Sequence, residues 1–424
     1  MLRSIALLLC LSAGAAVAQE PPAVAAASAP AMSVYLDCQS GGCDFDYFRT
    51  ELAIVNWVRD RQVADVHILV TTQETGAGGS EYTVTFMGLR QFAGLTDTLK
   101  YVSPPASTED ERRKGLAGIF RFGLVRYLAR TPAGARVTVA FTGGQETSAQ
   151  TTSKKDPWKA WVFRIGINGN ADAEESFKAS RIGGNVSASR VTEAWKTELF
   201  AYENYNQSDF ELNDSTTFTN IQRNYSASVL QVKSLSSHWS AGFRGSMTSS
   251  TYSNYLRALR LLPAIEYNLF PYSQSTRRQL LFEYDLGYMS FAYRDTTIEF
   301  KTKEDMAMHR LLMTVRTRET WGEIDVGSAA THYFREGTKY RISTFGDFSF
   351  RLFKGFRLNG FVYYERIYDQ FSLALKDFTD EEKLTRQFQL GTTYRYFANL
   401  GINYTFGSIF NNIVNPRMGG GFFD

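Results

Sequence analysis

The segment 388–406, FQLGTTYRYFANLGINYTF, keeps one alternation for nineteen residues. Phe388, Leu390, Tyr394, Tyr396, Leu400, Ile402, Tyr404 and Phe406 fall in one row with Thr392 and Ala398. Gln389, Arg395, Asn399, Gly401 and Asn403 fall in the other, in which Phe397 is the one large apolar residue. A period of two is the signature of a β-strand with one apolar and one polar face. Strands of soluble proteins usually run about 5–6 residues. A two-faced strand this long, with no helical segment nearby to cover it, restricts the chain to a few kinds of fold.

The same grammar fills residues 158–408. Eleven apolar rows precede the last one, among them Trp161/Phe163/Ile165/Ile167, Leu280/Phe282/Tyr284/Leu286/Tyr288 and Leu311/Met313/Val315. The links after the second, fourth, sixth, eighth and tenth rows are short (TEA, SLSS, FPYSQS, RETW, FKG). Several of the others are long and polar, at 209–219, 295–305 and 370–383. The opposite faces carry charge: Glu283, Asp285, Arg310, Arg316, Glu323, Asp325, Arg341, Asp347, Arg351, Arg357 and Glu365. Neighbouring rows alternate in sign, so these groups can pair if they face a common interior. A bilayer crossing needs only about 9–11 residues of tilted strand. The pattern therefore predicts a mainly β fold, an antiparallel transmembrane β-barrel of about twelve strands with the charged rows in its lumen. Aromatic residues at 14% and only 10 prolines agree with this. A soluble β-sandwich is the alternative, and it requires a second apolar sheet of matching length.

The chain opens MLRSIALLLCLSAGAAVAQE. A basic residue, a short apolar run and an A-x-A site predict a secretory signal peptide at 1–18. Cys38 and Cys43 then remain, and in an oxidising compartment they are expected to form a disulfide. C-x4-C with no nearby histidine is a poor zinc site, so no metal and no cofactor is expected. A net charge of +3 gives no reason to expect a nucleic-acid partner.

Residues 33–143 mix periods and predict a compact α+β domain, ordered β-α-β-β-β-α-β. A helix is expected from Asp44 to about Arg61, and strands at 64–71, 81–87, 98–103 and 136–141. Thr108 and Glu111 form a capping-box pattern opening a second helix through Ala129. Residues 144–157 read as a linker and 409–424 as a tail.

Two resemblances extend this reading. Gly401, Tyr404 and Phe406 lie in a segment similar to the C-terminal insertion signal of outer-membrane β-barrel, porin-like proteins, with Leu400 where a polar residue is usual and a tail continuing to Asp424. The resemblance implies outer-membrane lipid and the barrel-assembly machinery as partners, and an N-terminal domain in the periplasm. Ala64, Asp65 and Phe86 lie in a segment that resembles the periplasmic domains of TolB N-terminal and curli-secretion type. That implies an interaction module with a possible periplasmic protein partner.

Two functions fit: a pore or transport component, or an envelope anchor whose barrel is closed by ion pairs. An enzyme is not expected and no catalytic residue is assigned. His309, His332 and Ser328 share the apolar row, as in lipid-facing Ser–His sites, but no G-x-S-x-G accompanies them.

Overall fold

Residues 32–39, 43–139, 156–213, 216–334, 338–408 and 417 are described by a computed structural model. The signal segment 1–18 and most of the linker and tail lie outside these residues.

The first unit is built on β1 (Ser33–Cys38), α1 (Phe45–Glu51), β2 (Asn56–Trp57), β3 (Val66–Glu74), β4 (Ser80–Gly88), β5 (Thr96–Ser103) and α2 (Glu109–Leu128). The sheet order is β2-β1-β3-β4-β5, with β1 parallel to both its neighbours and the other pairs antiparallel. The first six residues of β3 are buried, as a central strand requires. Thr108 and Glu111 make both halves of the capping box, and Arg126 lies in the last turn of α2. Leu116, Phe120, Leu124 and Tyr127 recur at helical spacing and bury against Phe48, Ile68, Val84 and Phe86. A Cβ at Gly123 would sit 2.1 Å from the Phe86 ring, so glycine lets α2 approach the sheet. Cys38 and Cys43 are joined in a disulfide.

Two expectations for this unit need correction. The helix expected to reach Arg61 stops at Glu51, where Leu52 leaves helical geometry. The apolar residues beyond it, Val55 and Trp57, enter the core from an irregular segment and the two-residue β2. Periodicity alone cannot separate these cases when the run is short. The strand expected at 136–141 is not formed at 137–139, and its remainder lies outside the described residues.

The second unit is one sheet of twelve strands, each antiparallel to the next in chain order. They are β6 (Trp161–Ala173), β7 (Phe177–Val191), β8 (Trp195–Asn213), β9 (Thr216–Ser234), β10 (Trp239–Ser250) and β11 (Tyr255–Asn268). There follow β12 (Arg278–Tyr293), β13 (Lys303–Glu319), β14 (Gly322–Tyr333), β15 (Tyr340–Phe353), β16 (Phe356–Ile367) and β17 (Tyr394–Tyr404). A short helix, α3 (Asp380–Leu384), lies between the last two.

The register holds the phase from strand to strand. Arg310 stands opposite Asp285, Arg316 opposite Asp325, Asp325 opposite Asp347, Arg351 opposite Arg357, and Glu365 opposite Arg395. All eleven charged residues named above therefore share one face, here called the polar face. The other face carries Ile167, Leu311, Tyr396 and Ile402, each more than half exposed. Among the described residues no second sheet of matching length covers it, as the β-sandwich alternative requires.

Three details differ from expectation. Residues 209–219 are not a loop for most of their length, because β8 and β9 run to Asn213 and from Thr216 as a long hairpin. Phe210 sits between Phe177 and Phe218 at ring distances of 5.1 and 6.5 Å, so aromatic cross-strand pairs extend the ladder past the point where the apolar alternation weakens. The last strand begins at Tyr394, and residues 388–393 belong to the preceding connection. Finally, no pairing between β6 and β17 closes the sheet among the described residues. Alternation records which face is apolar. Closure depends on strand tilt and stagger, which alternation does not encode.

Candidate functional site

The polar face divides into two halves. On β6–β9 it is rich in amides and hydroxyls: Asn168, Asn185, Asn204, Asn224 and Ser228 fall on it in register, with Arg164, Arg181, Lys196 and Glu198 on the same face. Asn224 Nδ2 donates to Tyr202 Oη at 3.2 Å, and Arg181 Nε donates to Asn206 Oδ1 at 2.9 Å. On β10–β17 it is cross-linked by charge. Arg244 meets Glu283 at 2.5 Å and Asp285 at 3.1 Å, and Arg310 meets Asp285 at 2.7 Å and Glu283 at 3.0 Å. Both carboxylates are buried. Two guanidinium groups against two carboxylates satisfy the charges that burial would otherwise penalise. Arg316 meets Asp325 at 2.8 Å and Arg318 lies 3.8 Å from Glu323. Asp347 is exposed and faces Asp325.

One end of the polar face is covered on its β9–β16 side by the chain between β16 and β17. Asn254 Nδ2 donates to Ser372 O at 2.9 Å, Gln389 N donates to Tyr252 O at 2.9 Å, and Asn220 Nδ2 donates to Thr385 O at 3.1 Å. Thr297 and Ala374 form an isolated β-bridge. The segment 368–393 thus crosses from β16 to β9–β13 and acts as a lid. Beneath it Phe371 packs with Ala258, Leu262, Met289, Phe291, Met308 and Tyr333 in a buried apolar cluster. An inward-facing apolar cluster is unusual on an otherwise polar face, and it fills the β11–β14 side of this end. Arg341 ties the lid down: it meets Glu365 at 3.2 Å and Asp369 at 2.9 Å, while Tyr333 Oη donates to Asp369 Oδ2 at 2.9 Å.

The small domain occupies the opposite end. Arg351 Nη1 donates to Asp37 Oδ2 at 2.5 Å, and Arg351 Nη2 donates to Asp37 Oδ1, a bidentate pair. Gln39 Nε2 donates to Glu319 O at 2.8 Å, and Lys354 lies 3.4 Å from Asp60. On the far side Arg164 of β6 lies 3.8 Å from Glu74 and against Gly78, and a Cβ on Gly76 would sit 2.6 Å from Val191 Cβ. The domain therefore touches the sheet near both of its unpaired edges. A cavity of about 190 Å³ remains at the joint, lined by Asp37, Glu323, Arg351 and Arg357 among others.

Behind Asp37, His67 Nε2 lies 3.2 Å from Asp37 Oδ2, and Arg61 Nε donates to His67 Nδ1 at 3.1 Å. A nitrogen accepting from a guanidinium carries no proton, so His67 is the neutral tautomer that donates to Asp37. Burial, with Arg61 and Arg351 nearby, pushes its pKa below the usual histidine value against the pull of Asp37. Burial pushes Asp37 upward, but its hydrogen bonds with Arg351 and His67 win and hold it below the usual carboxylate value.

Sequence reasoning missed Arg244, Arg318, Asp369 and Arg395. Arg244 and Arg395 fall in the polar phase of their own rows and were open to detection. Asp369 sits in the lid, outside any alternation, and nothing local marks Asp37 or His67 as junction residues. His309 and His332 stand opposite one another on the apolar face, with ring centroids 5.3 Å apart. Ser328 shares a hydrogen bond of 3.0 Å with Thr344. Gly401 lies on the polar face, whereas Tyr404 ends β17 on the apolar one and stacks on Phe406 at 5.6 Å.

No family model matches the sequence, and no curated protein matches it. Among solved structures the chain is similar to CdiB from Acinetobacter baumannii, with 8% identity and a TM-score of 0.27, over 88% of this chain and 74% of that one.

Proposed function

We propose that this protein resides in the outer membrane, its apolar face in lipid and its small domain in the periplasm, and that it is a gated transport component closed at rest. The observation that carries the reading is the Arg351–Asp37 pair, which seats the small domain across one end of the polar face while the lid covers the β9–β16 side of the other. The amide- and hydroxyl-rich wall on β6–β9 supports passage of polar cargo, since such groups exchange hydrogen bonds with a moving solute at little cost. The exposed apolar face supports lipid contact, because soluble proteins rarely leave so large a patch open. In this reading Gly401, Tyr404 and Phe406 address the chain to the barrel-assembly machinery, and the small domain also offers a surface to a periplasmic partner.

An anchor is the second reading, favoured by the Arg244–Glu283–Asp285–Arg310 network, which stiffens one wall. Planar-bilayer conductance separates the two. A transport component is silent as wild type and conducts once Asp37→Ala releases the small domain. Silence in both proteins supports the anchor.

A further inference from the structure

A cavity of about 570 Å³ lies between the lid and β15–β17. We infer that it is a binding site for a neutral saccharide of about two rings. The inference goes beyond the transport reading and holds whether or not the sheet conducts.

The floor of the cavity is formed by paired charge. Glu365 is held by Arg341 at 3.2 Å and by Arg395 at 2.8 Å, and Asp369 by Arg341 at 2.9 Å. Both carboxylates are at least nine-tenths buried, at 5% and 9% exposure. An anionic ligand would face Glu365 and Asp369, and a cationic one would face Arg341, Arg386 and Arg395. A neutral ligand meets neither penalty, yet finds directional donors and acceptors matched to vicinal hydroxyls. The walls carry aromatic rings: Tyr252 comes from the β10–β11 turn, Tyr255 from the start of β11, and Phe388 from the lid. Aromatic side chains beside a polar floor suit a ring with apolar C–H faces and a polar rim. The volume lies within the range of about 300–1,000 Å³ typical of small-molecule sites. Gln370 braces the lid here, donating to Leu390 O at 3.2 Å and accepting from Thr392 N at 2.8 Å.

The test is calorimetric titration of the full-length, detergent-purified protein with maltose, lactose and N,N′-diacetylchitobiose, and separately with inorganic phosphate. At least one disaccharide is expected to bind. Phe388→Ala and Tyr252→Ala should each weaken it about tenfold, equivalent to about 1.4 kcal/mol, with the far-ultraviolet spectrum of the sheet unchanged. Binding of none of the three disaccharides overturns the inference. So does binding that neither substitution weakens. Phosphate binding in place of disaccharide binding assigns the cavity to anions and overturns it as well.

Discussion

Arg351, at the end of β15, and Asp37, in the first strand of the small domain, are 314 positions apart and form a bidentate ion pair. Asp37 is buried and Arg351 partly so. Removing one partner strands the other away from water. Asp37→Asn or Arg351→Gln should each destabilise docking of the small domain by about 3 kcal/mol, and the double variant should cost less than the sum. Limited proteolysis between the units, scored across the four proteins of the cycle, measures this. Additive effects would show that the two side chains act independently.

His67 makes the same junction pH-dependent. Its folded pKa lies below 6.5, so as pH falls under 6.5 the unfolded chain gains a proton that the folded one refuses. Stability is therefore lost first in that window. Asp37 contributes above its unfolded value of 3.8, and its share is lost only as pH falls through its lower folded value. Denaturation midpoints against pH should fall from 6.5 downward in the wild type. In His67→Gln that first decline should flatten while the acid limb remains.

The phase of the large sheet is tested on β13. Met313 lies on the apolar face and Arg316 on the polar face, 2.8 Å from Asp325. A cationic side chain near mid-bilayer costs about 2–4 kcal/mol on the lipid face. Met313→Arg should impair refolding into vesicles, and Arg316→Met should refold. The reverse outcome inverts the phase.

Arg244 neutralises two buried carboxylates together with Arg310. Arg244→Met leaves Glu283 and Asp285 with one cation between them and should destabilise the sheet by about 3 kcal/mol. The temperature at which the folded band disappears on gels of unboiled samples should drop accordingly.

Much of the fold was legible because β-structure writes its two faces into the chain at a fixed period. The twelve strands, the charged face and the Thr108 cap all rest on local spacing. Asp37, His67 and Asp369 were not legible, because each acquires its role from a partner that folding brings from far away. The lid was hidden for a related reason. Residues 388–393 continue the alternation of β17, yet they leave the ladder to cross the mouth, where Gln389 bonds Tyr252. A polar loop that makes its contacts with distant strands carries no period to read. The unclosed edges of β6 and β17 belong here too, since closure is a property of the whole sheet.

In the proposed function the small domain closes one end of the polar face. Gly76 and Val191 face each other across the junction with Cβ positions 2.6 Å apart, so a separation of about 1 Å brings paired cysteines to the Cβ spacing of a disulfide. The decisive measurement is bilayer conductance of Gly76→Cys/Val191→Cys in the Asp37→Ala background, before and after reduction, with Asp37→Ala alone as the control for reduction. Silence is expected while the cross-link holds the domain in place, and current once it is reduced. Current through the cross-linked protein equal to that of the control would contradict closure by the small domain.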